Sequence, residues 1–545
     1  RMKHSVIRIS VLVISSILLC SGSCRNDPIE SEQDPPNILW IVCEDQWSDF
    51  FPMYGDSTVN LPTLERIANE GIVFENAFAT VPVCAPSRSA LITGMYPTTL
   101  GTHNMRTYNG YSPVNQPAIG IPSYSPVVPE NIRCFTEYLR MAGYYCTNNA
   151  KEDYNFKTPV SAWDESGRDA HWRNRAEDQP FFAVFNFNVT HESSIWVNGD
   201  STLLVEPEVI GIPPFFPDDS VIRRDLAVNY SNLVRLDKQV AQLLQQLKED
   251  GLYDQTIIFF YSDNGGPFPR FKRALYETGI KIPLFIRFPG NAGESERCED
   301  LVSFIDFGPT VLSLAGIKPP GHMQGQAFLG EFKSKQEKQY VFTSADRFDE
   351  TYDRVRAVRS REFKYIRNFN TALPYAIPNS YRMNMPMMQR LLELDGLNRL
   401  DPVSSLWMAD NKPEEELYEL MIDPYEINNL AGNDQYRDTL LFFRDLLDNW
   451  IIETNDLGRY RESELVSKWL IDGKQPVLDE PEFTISGNDL IITSDVPDAT
   501  LLWKYPSGEK WIIYHASIPY SANDTIEAKA VRIGYADSEV SVLFQ

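Results

Sequence analysis

Apolar residues recur along this chain with two different periods. Asn37-Ile38-Leu39-Trp40-Ile41-Val42-Cys43 is an almost unbroken apolar run, which predicts a strand buried on both faces. Residues 180–189 and 256–261 predict two more such strands. Residues 61–71 and 131–143 read as helices ending on glycine. Residues 228–250 carry Leu233, Leu236, Val240, Leu243, Leu244 and Leu247 at helical spacing, with Gly251 as the stop. Buried strands alternating with helices predict an α/β domain over residues 37–330, its mainly parallel sheet sandwiched by helices. The pattern then changes. Residues 341–368 and 416–425 predict shorter strands and residues 437–453 a helix, together a smaller α+β subdomain over 331–470. Between 476 and 545, short alternating runs separated by turn residues predict a small β-sandwich.

The first 36 residues carry a different signal. Lys3 and Arg8 flank the start of an apolar run over residues 9–19, too short to span a bilayer and suited to a signal-peptide core. Ser21-Gly22-Ser23-Cys24 resembles a bacterial lipoprotein cleavage site, with Cys24 as the lipidated residue and residues 25–36 as a polar, acidic linker. A plain signal peptide cut nearby is the alternative. Either implies export, to the periplasm or as an outer-membrane lipoprotein that meets the membrane only through its lipid.

A length of 545 residues exceeds one ordinary core and implies several domains. The formal net charge of −25 argues against nucleic acid or an anionic membrane surface as partner. It also obliges any enzyme with a polyanionic substrate to concentrate its basic residues in the cleft. Cys20 and Cys24 belong to the leader; the other five cysteines form no CxxC pair, hence no disulfide framework and no zinc ribbon. A Cys134–Cys146 pair stays open.

Candidate chemistry lies just after the apolar runs. Glu44-Asp45 follows the first and Asp263-Asn264 the third. Ligands of open α/β sheets bind at the carboxyl ends of the strands, so both pairs are expected in one crevice. Three carboxylates there repel unless a cation sits among them, and an all-oxygen set suits calcium better than magnesium. The bland alternative is a pair of solvated loops.

The segment Val83-Cys84-Ala85-Pro86-Ser87-Arg88, continued by Leu91-Ile92-Thr93-Gly94, resembles the signature of the type I sulfatases of the alkaline phosphatase superfamily. The resemblance runs from about residue 37 to residue 450. Asp263-Asn264-Gly265-Gly266 matches the family's second metal motif, and Lys272 precedes a matching Leu275-Tyr276-Glu277. Lys151 and His191 fall where the family places a lysine and a histidine, and residues 262–269 are similar to the heparan N-sulfatase branch. The resemblance implies an alkaline-phosphatase-like fold and hydrolysis of sulfate esters. It implies that a formylglycine-generating maturation enzyme oxidises Cys84 to formylglycine (3-oxoalanine), and that calcium is held by Glu44, Asp45, Asp263, Asn264 and residue 84. A hydrated aldehyde has two hydroxyls on one carbon, one to attack sulfur and one to let the sulfated intermediate collapse. Arg88, Lys151 and Lys272 would neutralise the sulfuryl oxygens, and His191 would act as general acid.

The chain departs from the family at Asp153, where a histidine is usual two residues after the lysine; His103 is the candidate replacement. Asp346, Arg347 and Arg356 are candidate substrate contacts, with plain surface charge as the alternative. The expected substrate is a sulfated oligo- or polysaccharide, such as algal ulvan fragments. The alternatives are an N-sulfoglucosamine sulfohydrolase acting on heparin or heparan sulfate, a phosphoester hydrolase of the same superfamily, and a non-catalytic glycan-binding lipoprotein. The scarcity of histidine disfavours a two-zinc phosphatase site.

Overall fold

The computed structural model describes residues 35–108, 120–521 and 524–544; the leader and Cys24 lie outside them. Nine strands build the main sheet: β1 Asn37–Cys43, β2 Gly71–Phe78, β3 Tyr145–Asn149, β4 Glu165–Ser166, β5 Phe181–Phe187, β6 Thr256–Ser262, β7 Lys281–Ile282, β8 Leu284–Arg287 and β9 Glu296–Ser303. Their order is β4-β3-β5-β1-β6-β8-β2-β7, with β9 paired to β2. All seven residues of β1 are buried, between β5 and β6, both parallel to it. Its side chains alternate between two cores. Leu39, Ile41 and Cys43 enter one; Ile38, Trp40 and Val42 enter the other. Burial on both faces is why this strand reads as an unbroken apolar run.

The sheet is mixed. β8 runs antiparallel to both β6 and β2, because the chain leaving β6 returns without a long crossover helix. The long helix begins at Ser220, not 228, since the Asp219 side chain caps it by accepting the Val221 N–H at 2.9 Å. Gly71 does not cap the helix Pro62–Asn69. It is the first residue of β2, where a Cβ would collide with the Ile286 carbonyl of β8.

A second, antiparallel sheet carries β10 Val341–Ala345, β11 Val355–Arg359, β12 Phe363–Asn368 and β13 Glu415–Glu419 in that order. The helix Arg437–Glu453 packs Leu440, Phe443, Leu447 and Trp450 inward. The C-terminal region forms a three-stranded and a four-stranded antiparallel sheet around Leu490, Ile492, Ile518, Ile526 and Ala528. Cys134 and Cys146 are both free thiols. No helix among the described residues is long and apolar enough to cross a membrane.

Candidate active site

β1 and β6 end in register, Cys43 beside Ser262, and β5 ends beside them with Phe187 opposite Cys43. The residues that follow these strands therefore meet in one crevice. The Asp263 N–H donates to the Cys43 carbonyl at 3.1 Å, and the Asp45 N–H donates to Asp263 Oδ1 at 3.2 Å. Asp45 holds a left-handed backbone, φ 55°, a conformation that costs a non-glycine residue energy and clusters at functional sites. After β5, Thr190 Oγ1 accepts the Glu44 N–H at 3.1 Å, and the Glu192 N–H donates to Asp45 Oδ2 at 2.7 Å.

The helix Cys84–Thr93 opens onto this crevice, with every residue buried. Ser87 Oγ donates to the Asp263 carbonyl at 2.6 Å, which fixes the helix start against the β6 loop. Cys84 Sγ lies within 4.8 Å of carboxylate oxygens of Asp45 and Asp263, and of a second group formed with Glu44 and His191. Lys272 Nζ is 3.5 Å from Cys84 Sγ and 2.7 Å from Asp45 Oδ2. Lys151 Nζ is 2.8 Å from Glu44 Oε2. Arg88 holds Asp263 Oδ2 through Nε at 3.0 Å and Nη2 at 2.9 Å.

Burial is the largest single effect on the Glu44 carboxyl and drives it up, but Lys151, His191 and Arg88 together hold its pKa below the ordinary value. The Cys84 thiol goes the other way: burial pushes it well above the usual thiol range despite Lys151 and Lys272. Asn264 Nδ2 donates to Asp45 Oδ1 at 2.8 Å, while its Oδ1 is buried with no hydrogen-bond partner. An orphaned amide oxygen beside three carboxylates is the donor set of a hard cation, and the residues fit calcium.

Residues 36–317 match the Sulfatase family, and residues 268–379 match the family described as N-sulphoglucosamine sulphohydrolase, C-terminal. An ulvan-active sulfatase of Formosa agariphila is 41% identical over 97% of this chain and 96% of its own length. The chain belongs to the sulfatase family. It is a sulfuric ester hydrolase. The human N-sulphoglucosamine sulphohydrolase is 26% identical, covering 81% of this chain and 93% of that protein. A solved structure in complex with its substrate D-glucosamine-2-N,6-O-disulfate has a TM-score of 0.56 at 16% identity, covering 78% of this chain and 99% of that one. A 2-O GAG sulfatase has a TM-score of 0.57 at 19% identity, covering 78% and 94%.

Within this sulfatase the sequence candidates divide. Glu44, Asp45, Cys84, Arg88, Lys151, His191, Asp263, Asn264 and Lys272 converge. Asp153 stands beside Lys151, 3.7 Å from its Nζ. His103 is buried, leaves Nδ1 without a hydrogen-bond partner, and acts electrostatically on Asp346 and Asp456; the largest charge effects on Cys84 come from Lys151, Lys272, Asp263 and Asp45. Arg356 does not face a substrate. It is 0% exposed, and its five N–H groups go to Asp456, Asp346 and the carbonyls of Ala345 and Val355. Asp346 is buried as the partner of Arg356. Arg347 is buried against Glu462 at 2.6 and 2.8 Å. These three side chains hold the second subdomain together.

Two residues escaped the sequence reading. Glu192 accepts both Arg273 Nη1 and Nη2, at 2.9 and 2.8 Å, and lies 3.2 Å from Lys272 Nζ. Burial opposes ionisation of Glu192, but Arg273 and Lys272 hold its carboxyl well below the usual range. The available signal was adjacency: Glu192 follows His191 and Arg273 follows Lys272.

Proposed function

We propose that this enzyme releases sulfate from sulfated polysaccharide fragments of the ulvan type, using formylglycine at position 84 and a calcium ion held by Glu44, Asp45, Asp263 and Asn264. The observation that carries the reading is the convergence of Cys84 with Asp45 and Asp263 oxygens within 4.8 Å, with Lys272 at hydrogen-bond range. The substrate class rests on the 41% identity to the Formosa agariphila ulvan-active sulfatase.

When present, the aldehyde hydrate and calcium together supply a hydroxyl nucleophile of lowered pKa. Burial raises the pKa of the Cys84 thiol, so an unmodified residue 84 would be a neutral thiol rather than a thiolate nucleophile. Lys272, Lys151 and Arg88 are held on Asp45, Glu44 and Asp263, so they are fixed before charge develops on the sulfuryl oxygens. Such preorganised charge needs no reorganisation during reaction. His191 Nδ1 accepts the Ser193 N–H at 3.2 Å, which leaves the ring proton on Nε2. That atom lies 3.9 Å from both Glu44 Oε2 and Asp45 Oδ2 and donates to the leaving oxygen. Burial, then Lys272, lowers the His191 pKa, so the ring rests neutral; to act as general acid it takes up a proton at Nδ1, 2.8 Å from Ser193 Oγ, gives the Nε2 proton to the leaving oxygen and returns to neutral.

The leader and Cys24 complete the proposal as an export signal and lipid anchor. The second substrate reading, N-sulfated glucosamine, is favoured by the match of residues 268–379. The test is sulfate release across a panel of defined O- and N-sulfated oligosaccharides, with protein coexpressed with a formylglycine-generating enzyme. Release from sulfated ulvan fragments is expected; activity confined to N-sulfated glucosamine would overturn the ulvan reading.

A further inference from the structure

The crevice has an outer wall that sulfate chemistry alone does not require. Trp196 lies on the short helix Ser193–Val197 that directly follows His191 and Glu192. Its ring meets Tyr381 edge to face at 5.2 Å, and Tyr381 is 6.4 Å from the His191 ring. The guanidinium of Arg106 lies over Tyr381 at 5.1 Å. All three side chains are partly exposed. Two aromatic faces and a guanidinium thus flank the residue that serves the leaving oxygen.

Each of these side chains is tied to the catalytic framework. Trp196 is placed by the turn that carries His191. Tyr381 is placed by its neighbour Arg382, which donates Nη2 to the Lys272 carbonyl at 2.7 Å. Arg106 is held in a left-handed conformation, φ 58°. The segment just before it is pinned from the second subdomain: the Met105 N–H donates to the Arg347 carbonyl at 2.8 Å, and the Arg347 N–H donates to Asn104 Oδ1 at 3.1 Å. Strained backbone held by tertiary contacts is the mark of a placed side chain. The neighbouring Asp349 is engaged by Arg273 at 3.2 Å and by Asn379, and the charges of Arg273 and then Arg106 help hold its carboxyl low against burial.

We propose that Trp196, Tyr381 and Arg106 form the subsite for the sugar that carries the cleaved sulfate, and that Arg106 selects sugars bearing a second anionic group, a carboxylate or another sulfate, near that ester. The proposal rests on the sulfatase reading of the crevice and adds the substrate chemistry. Pyranose C–H faces pack on the aromatic rings, as apolar faces do on Tyr and Trp at wet sites. A guanidinium pairs with carboxylate or sulfate oxygens through two parallel N–H groups. On this account Arg347, expected to touch the sugar, acts one step behind Arg106 by fixing its loop.

The test compares wild type with Arg106→Met and Arg106→Lys on three sulfated disaccharides: one with a uronate beside the ester, its carboxyl-reduced neutral counterpart, and that counterpart carrying a second sulfate. Wild type is expected to prefer the two doubly anionic substrates in kcat/KM. Arg106→Met is expected to shrink that preference by about 10- to 100-fold, the worth of a charged hydrogen bond, mainly through KM, and Arg106→Lys to restore part of it. The favoured member of the anionic pair identifies carboxylate or sulfate as the group read. Equal wild-type kcat/KM on neutral and anionic sugars would overturn the proposal. So would a loss in Arg106→Met that is the same on all three. No sulfate release by wild type from any of them would instead overturn the sulfatase reading beneath it.

Discussion

Two of the clusters of buried charge among the described residues are finished differently. In the second subdomain Arg356 spends every N–H it has on Asp346, Asp456 and two carbonyls. Glu462 accepts from Arg347, Tyr124 and Tyr352. Gly458 is glycine there because a Cβ would run into the Arg356 guanidinium. At the ends of β1 and β6 the valences are left open. Asn264 Oδ1 has no partner, three carboxylates converge, and Lys272 reaches both an acid and Cys84. Of the groups named in the second subdomain only Asp346 Oδ2 lacks a partner, and their ion pairs hold two parts of the chain together; the strand-end groups are where the proposed cation and substrate would bind. Abundance of buried charge is no guide to the reactive place, while acids, bases and a nucleophile position converging on one crevice are.

Substitutions sharpen the contrast. Asp263→Asn should have the largest effect. It removes a carboxylate from the proposed calcium set and the partner of Arg88, so sulfate release should fall to background and bound calcium, measured by elemental analysis, should drop with it. Lys272→Met should lower kcat by roughly 10²–10³-fold, the cost of losing one preorganised charge at the reacting group, while circular dichroism stays native. Arg356→Met should reverse the pattern. Breaking a buried pair leaves Asp346 without its ion-pair partner and Asp456 with Arg354 alone, at a cost of about 3–5 kcal/mol, visible as a lower Tm, while kcat per folded molecule stays close to wild type. A collapse of kcat with no loss of Tm would erase the distinction between the two clusters.

The smallest effect is expected at Asp225, outside both clusters. Burial pushes its carboxyl up to about 7 from 3.8, against the Met387 N–H that it accepts. The folded state therefore keeps this proton to higher pH than the unfolded chain. Stability falls as pH rises from about 4 to about 7, and the loss is complete above that. Asp225→Asn keeps an acceptor for Met387 without the charge. Its Tm should exceed that of wild type by a few degrees near pH 8, and the advantage should fade toward pH 4.

Much of the crevice was readable from the sequence because the strands that build it are buried on both faces. β1, β5 and β6 had to be unbroken apolar runs, so the polar residues at their ends stood out. β2 was hidden by contrast. It begins at Gly71, directly behind the helix Pro62–Asn69, with no polar interval to mark the change of period. Arg347 and Arg356 were misread for a different reason. Their carboxylate partners lie 115 and 100 residues away, and no local pattern separates an arginine that will be buried and paired from one that will face a sugar. Glu192 and Arg273 were passed over because nothing in one chain's sequence shows that neighbours of motif residues turn inward.

The most direct test of the account is sulfate release from a sulfated ulvan oligosaccharide by wild type and Cys84→Ala, both coexpressed with a formylglycine-generating enzyme, with the peptide spanning residue 84 analysed by mass spectrometry. The account predicts formylglycine at position 84 and sulfate release in wild type, and neither in Cys84→Ala. Equal release by the two proteins would contradict it.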